Sequence, residues 1–258
     1  LKLATSFGTL GIGNSGDAAD AVDDITPSAF EEANGSGSGT IASSVDVGSG
    51  MNGSMSLSYG NGDLFGTGIS VAYNYYPRLD GKTNNEKGAS GANNEARGSA
   101  ESLNVGIPLS GLPIVGDSPL GGMKITLGYN NSDNLTEANQ RLEGGTVAVT
   151  LPVGPLSVGY QEAYGNERNG TWTEGADVEA EFKAIAFTSG DLSVSYGERE
   201  VEFSKAGAAH VTENGEGIAV AYTMGSMKIA GNRNEVTDNN GTSSSNDEMT
   251  EIAISFAF

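Results

Sequence analysis

The chain has 258 residues, 33 of them acidic and 13 basic, which gives a formal net charge of −20 at pH 7. This charge argues against a nucleic-acid partner, because phosphate binding needs concentrated Lys and Arg. The absence of cysteine excludes a disulfide scaffold, a thiol nucleophile and thiolate metal sites. No run of about 18 apolar residues occurs, so no helical membrane span is predicted.

Hydrophobic residues make up 37% of the chain, which is low for a protein with a conventional core. A disordered acidic chain would be poor in β-branched and aromatic residues, yet here they recur in ordered blocks. A barrel with a wet interior needs apolar residues on one face of its strands only. The composition therefore favours such a barrel.

Along the chain, runs of roughly eight to twelve residues alternate apolar with small or polar side chains, which is the period of a β-strand. In one run Leu192, Val194 and Tyr196 alternate with Ser193 and Ser195. The segment 40–47 is left out of the prediction because of Asp46 and its serines. Twelve strands are predicted, near 7–14, 51–60, 67–77, 101–109, 122–131, 145–152, 155–164, 178–188, 191–203, 216–224, 227–236 and 247–258.

The connections between these strands alternate in length. Short turns occur at Val153-Gly154, Ser189-Gly190 and Gly225-Ser226. Long polar segments lie between them, at 78–100, 132–144, 165–177, 204–215 and 237–246. Outer-membrane barrels alternate tight periplasmic turns with long external loops, whereas a soluble sandwich has no reason to do so. The pattern predicts one all-β domain over residues 1–258, a transmembrane antiparallel β-barrel.

Tyrosines fall mostly toward the strand ends, where an amphipathic ring suits the boundary between membrane and water. The alternative is that tyrosine simply favours strands. The residues concerned are Tyr73, Tyr75, Tyr76, Tyr129, Tyr160, Tyr164, Tyr196 and Tyr222.

The chain ends on a strand in which Ile252, Ile254, Phe256 and Phe258 share one face. This ending resembles the terminal strand of bacterial outer-membrane proteins. Near the start, FGTLGIGN followed by SGDAADAVDDITPSAFEE (7–32) is similar to the general diffusion porins of alphaproteobacteria. The resemblance implies a sixteen-stranded, usually trimeric barrel whose third loop folds inward and narrows the pore.

On this resemblance the twelve strands correspond to the fifth to the sixteenth of the family, and Leu1–Thr5 to the end of the fourth. We therefore expect the first three strands and most of the fourth to be missing from this sequence. A smaller, twelve-stranded barrel is the alternative, since even strand numbers are the bacterial rule.

Residues 15–39 are the candidate constriction loop, because they carry six carboxylates and no basic residue. Carboxylates on an inward-folded loop would make the narrowest part of the pore negative. A solvated acidic loop is the plain alternative, and a structural calcium ion is another, although no calcium-loop spacing is present. The proposed constriction residues are Asp17, Asp20, Asp23, Asp24, Glu31 and Glu32, and the proposed basic residues of the lumen are Lys124, Lys183 and Lys228.

No residues suggest catalysis. Glu179 and Glu181 share a strand face, but among 33 acidic residues such pairs arise by chance. His210 lies in a polar segment without a partner for nucleophilic catalysis. We expect neither an enzyme nor a cofactor.

The function expected is passive diffusion of ions and small hydrophilic solutes across the outer membrane of a Gram-negative bacterium. Outer-membrane lipid, and further copies of the chain in a homotrimer, are the expected partners. The alternative is a secreted or surface-attached acidic β-rich protein, such as an adhesin or a surface-layer component.

Overall fold

The computed structural model describes residues 1–14, 16–22, 25–30, 54–77, 97–111, 118, 120–134, 142–166, 177–204 and 210–257. Within these ranges thirteen strands form one antiparallel sheet, in which each strand pairs with the next along the chain. The first and last strands are the two edges of the sheet and do not pair with each other. The strands are β1 (Lys2–Thr5), β2 (Gly8–Asn14), β3 (Met55–Asn61), β4 (Ser70–Tyr76), β5 (Arg97–Pro108), β6 (Lys124–Asn134), β7 (Leu142–Val153), β8 (Leu156–Asn166), β9 (Asp177–Ser189), β10 (Leu192–Ser204), β11 (Val211–Met224), β12 (Met227–Thr237) and β13 (Asp247–Phe256).

The strand count exceeds the predicted twelve by one, because residues 2–5 form a strand of their own. β1 pairs with β2 from Lys2 opposite Gly11 to Thr5 opposite Gly8. The segment 40–47 lies outside the described residues. Among the described residues, no helix has the length and apolar character needed to cross a membrane.

Connections of two kinds lie at opposite ends of the sheet. At one end, β7–β8, β9–β10 and β11–β12 are joined by two-residue turns that begin at Gly154, Gly190 and Gly225. Each of these glycines has a φ near +60°, which the mirror-image turns of tight hairpins require at this position. At the other end every connection has at least six residues. The predicted alternation is confirmed from β7 to β12, whereas at the end with the tight turns β3–β4 and β5–β6 are joined by eight and fifteen residues. The two ends are called here the short-turn end and the long-loop end.

One face of the sheet is covered by residues 16–22 and 25–30, called here the inner segment, and this face is called the inner face. The opposite, outer face carries large exposed apolar side chains toward the short-turn end. Val158 is 38% exposed, Ile218 49% and Ile252 75%. Such a broad apolar surface is rare on soluble proteins, but it suits contact with lipid.

The two faces exchange character toward the long-loop end. On β10, Leu192, Val194 and Tyr196 face outward near the short turn, and they are followed on the same face by Glu198, Glu200 and Glu202. The opposite side of the strand changes the other way, since Ser193, Ser195 and Gly197 are followed by Arg199, Val201 and Phe203. In β9, Phe182, Ala180 and Val178 face inward in the same region. In β9 and β10 the long-loop half is therefore charged outside and, apart from Arg199, apolar inside.

This exchange changes the position of one predicted site residue. Lys183 lies on the outer face, where its ammonium group forms an ion pair with Glu181, rather than in the lumen. The prediction assumed that the polar side of each strand faces inward. In the long-loop half of β9 the polar side faces outward, because Phe182 and its neighbours pack inside.

Candidate functional site: an inner segment across the sheet

The inner segment begins with hydrogen bonds to three neighbouring strands. The carbonyl oxygen of Gly16 accepts from Asn74 Nδ2 and from the Tyr76 hydroxyl of β4, at 2.7 Å each. The backbone N–H of Ala18 donates to Ser102 Oγ of β5 at 2.8 Å. Asn130 of β6 also contacts this part of the segment, because its Nδ2 donates to the Asp17 carboxylate. Side chains of the inner face thus fix the backbone of the segment.

Farther along, the segment reaches β8 and β10. Gln161 Nε2 of β8 donates to the carbonyl oxygen of Val22 at 2.7 Å, and also to Thr146 Oγ1 of β7 at 3.1 Å. The backbone N–H of Ala29 donates to Ser195 Oγ of β10 at 2.8 Å. The segment therefore crosses the inner face from β4 to β10, and these hydroxyl and amide side chains point inward because of the two-residue period of the strands.

Two glycines of the wall make room for the segment. A Cβ atom on Gly128 would lie 3.3 Å from Val22 Cγ2, and one on Gly159 would lie 2.3 Å from Pro27 Cδ. The second distance is too short for any real contact, so a side chain at 159 would push the segment off the wall. Close packing of backbone against backbone is a common reason for glycine within a strand.

Asp17 belongs to the segment, but its carboxylate faces the wall. Oδ2 accepts from Asn130 Nδ2 at 3.0 Å, and Oδ1 accepts from the backbone N–H of Ala19 at 2.8 Å. The residue is 9% exposed. Asp17 therefore holds the segment in place, whereas the prediction gave it the role of charging the pore.

The backbone of Asp20 lies in the short 3₁₀ turn Ala19–Val22 of the segment. Asp23, Asp24, Glu31 and Glu32 lie outside the described residues, so their role in a constriction stays a prediction.

Two of the predicted lumenal lysines lie on the inner face, both toward the short-turn end. Lys124 is in register with Pro108 and Thr150. It lies on the same face as Thr126 and two residues nearer to the short-turn end. Lys228 shares its face with Ala230 and lies opposite Thr223.

A buried ion pair on the inner face was not predicted from the sequence. Arg199 of β10 donates to the Glu213 carboxylate of β11, and both side chains are at most 3% exposed. The signal that could have revealed Arg199 is its position in the two-residue period of the strand. It lies on the same face as Val201 and Phe203, and Glu200 lies on the opposite face. Breaking such a pair is costly, because the remaining charge stays buried.

The tyrosines serve two purposes. Tyr160 and Tyr196 lie on the outer face between the apolar band and the glutamates. The Tyr196 hydroxyl contacts Glu198 and Glu216, each at 2.8 Å, and the Tyr160 hydroxyl contacts Glu181 at 2.7 Å. This placement fits a girdle at the membrane boundary. Tyr76 instead faces inward, fully buried, and anchors Gly16.

Among the residues that the structure describes, no group of three or more His, Asp or Glu side chains is arranged to hold a metal ion. The calcium alternative concerned carboxylates that lie mostly outside the described ranges and therefore stays untested.

Comparison with solved structures identifies the class of fold. A porin of known structure matches with a TM-score of 0.62 at 15% identity, over 100% of this chain and 80% of its own. OmpT, an outer-membrane protein of Vibrio cholerae solved in a trimer form, matches with a TM-score of 0.61 at 13% identity, over 98% and 77%. An OmpT variant lacking loop L8 matches with a TM-score of 0.65 at 14% identity, over 99% and 78%. The chain has the fold of outer-membrane β-barrels, and porins are among the proteins it is similar to.

No protein-family model matches the sequence. No curated protein matches it either. At identities of this size the similarity shows the fold alone.

Proposed function

We propose that this protein is a porin-type channel of a bacterial outer membrane, through which ions and small hydrophilic solutes diffuse passively. Two observations support a location in the outer membrane. They are the alternation of tight and long connections from β7 to β12 and the likeness to solved outer-membrane barrels. The apolar outer face toward the short-turn end would contact lipid. The inner face, lined largely by Gly, Ala, Ser, Thr and Asn, would contact water.

One observation carries the proposal: a segment lies across the inner face and is held there by side chains of the wall. Among the described residues, apolar side chains pack against each other on the inner face in β8 to β10 and at one residue pair of β4 and β5. Here Asn74, Ser102, Asn130, Gln161 and Ser195 are used to position a stretch of chain inside. Inside a closed barrel, a segment held against the wall would narrow the interior.

The carboxylates of the same region supply the proposed charge preference. Asp20 follows the wall-bound Asp17 by three residues, and Asp23, Asp24, Glu31 and Glu32 follow in the sequence. We propose that these carboxylates face Lys124 and Lys228, where they would produce a transverse field and favour cations at the narrowest part. No conformational cycle or energy source is involved.

We also propose that the chain acts as a homotrimer. OmpT of Vibrio cholerae, a neighbour in fold, is described in a trimer form. The mass of the detergent-extracted complex, measured by light scattering, checks this part separately: a monomeric mass contradicts the trimer and leaves the channel intact.

The function is tested with protein extracted in detergent and reconstituted into liposomes. We expect a folded band that moves on a gel after boiling, and vesicles that swell in small sugars faster than protein-free vesicles. Protein that is soluble without detergent and produces no swelling would contradict the channel and favour the adhesin-like alternative.

A further inference from the structure

The β12–β13 connection, residues 238–246, folds over the inner face instead of extending away from the sheet. Its 3₁₀ turn Asn239–Gly241 contacts β11 and β10, the two strands beyond its own neighbour β12. A Cβ atom on Gly241 would lie 2.8 Å from Phe203 Cγ, and Phe203 belongs to the apolar cluster on the inner face of β8 to β10. A second stretch of chain, besides the inner segment, therefore lies on this face.

Hydrogen bonds within the connection hold it in this folded-back form. The Ser244 backbone N–H donates to Asp238 Oδ1 at 2.5 Å, and the Asn239 backbone N–H donates to the Ser245 carbonyl oxygen at 2.8 Å. Asp238, Gly241 and Ser244 have φ values between +54° and +65°, which reverse the direction of the chain. The connection is therefore a compact structure with a defined position on the wall.

On β10 the connection lies nearer to the long-loop end than the inner segment does. Ser195 accepts from the Ala29 N–H of the inner segment, whereas Phe203, which packs against Gly241, is eight residues farther along the strand. At about 3.4 Å per residue, these two contacts are about 27 Å apart along the strand. The apolar cluster supports both elements, because Ala19 of the inner segment belongs to it as well. A solute that enters from the long-loop end would therefore meet the connection first.

Resting on the proposed function, we propose that the β12–β13 connection is a second constriction, placed at the entrance on the long-loop side and held there by the contact of Gly241 with the Phe203 ring. The exposed residues Thr242, Ser243 and Ser244 form its tip. Bulky solutes are excluded at this tip, before they reach the carboxylates of the inner segment. The size limit and the charge preference of the channel are therefore set at two different places.

The absence of cysteine from the chain makes the tip directly testable. Ser243→Cys places a thiol at the tip, and Thr237→Cys places one on the outer face of β12 as the matched control. Both positions carry exposed hydroxyl side chains. The thiols are treated with a methanethiosulfonate that carries a bulky neutral group. The reagent forms a mixed disulfide with the thiolate and releases methanesulfinate, so it adds volume without charge.

We expect labelling of Ser243→Cys to cause a stepwise loss of single-channel conductance, with an unchanged reversal potential in a salt gradient. For Thr237→Cys we expect complete labelling and no loss of conductance. A completely labelled Ser243→Cys channel with unchanged conductance would overturn the second constriction. A changed reversal potential would overturn the separation of size limit and charge preference.

Deleting residues 240–244 tests the same proposal independently. The Val236–Asp247 pair would then be joined by residues 237–239, 245 and 246 only, which is a usual length for a hairpin loop. The folded deletion variant should conduct more than the unmodified protein and should admit larger polyethylene glycols in vesicle swelling. An unchanged conductance and size limit would contradict the proposal, and the labelling experiment decides alone if this variant does not fold. If the unmodified protein neither conducts nor swells vesicles, the proposed function itself fails.

Discussion

Replacing Gln161 by leucine tests whether the wall holds the inner segment in place. The side chain is 1% exposed, and its Nε2 donates to the Val22 carbonyl at 2.7 Å and to Thr146 Oγ1 at 3.1 Å. Leucine has a similar size but no donor, so the buried carbonyl of Val22 would lose this hydrogen bond. Leaving a buried polar group unsatisfied costs about 1–3 kcal/mol. The population in which the segment leaves the wall should rise roughly 5- to 150-fold.

The assay is single-channel recording in planar bilayers, because movement of a segment inside the lumen appears as fluctuation of the open current. We expect more frequent or longer sublevels for Gln161→Leu. Asn232→Leu is the matched control, since Asn232 is a buried amide on the inner face of β12 and shares no hydrogen bond with the inner segment among the described residues. Equal current noise in Gln161→Leu and the unmodified protein would refute the role given to the wall.

Three further predictions concern the sheet itself, each measured by urea unfolding in lipid vesicles. Val220→Arg, on the apolar outer face of β11, should lower the free energy of unfolding by about 2–4 kcal/mol if position 220 lies near the bilayer midplane. Glu216→Arg on the same face should lower it far less. Equal losses for the two variants would contradict the membrane position. Gly190→Val should destabilise the β9–β10 turn by about 1–2 kcal/mol because its φ is +58°, and an unchanged midpoint would count against the turn geometry. Arg199→Met should lower the free energy of unfolding by about 3–5 kcal/mol, because Glu213 stays buried without its arginine. Adding Glu213→Leu should restore stability. A double variant as unstable as the single one would contradict this reasoning.

The strands and their order could be predicted well from the sequence. Alternation with a period of two located the strands from β2 to β13, and the Gly154, Gly190 and Gly225 turns lie where the pattern breaks. These features are local, because side-chain period and turn chemistry depend on neighbours in the chain. Resemblance to porins added the expectation that residues 15–39 fold inward, and the described part of this range lies on the inner face.

Features that depend on distant contacts could not be predicted. Alternation shows that a strand has two different faces, but it does not show which one turns inward. The prediction for Lys183 differs from the structure for this reason, since only the packing of Phe182 against the interior reveals that Lys183 is on the outer face. Asp17 and Asn130 are 113 residues apart, so their hydrogen bond leaves no local signal in the sequence.

The buried pair of Arg199 and Glu213 was missed for a related reason. Each residue sits among many acidic neighbours that face outward, such as Glu198, Glu200 and Glu216. The pairing becomes visible only when the register brings β10 and β11 side by side.

The central claim is that water and solute pass along the inner face of this sheet. Recording purified protein in planar lipid bilayers tests it most directly. The account predicts discrete upward steps of current whose size increases in proportion to salt concentration, as expected for a water-filled pore. Protein that has inserted in the folded state, shown by its change of gel mobility on boiling, and yet produces no steps would contradict the account.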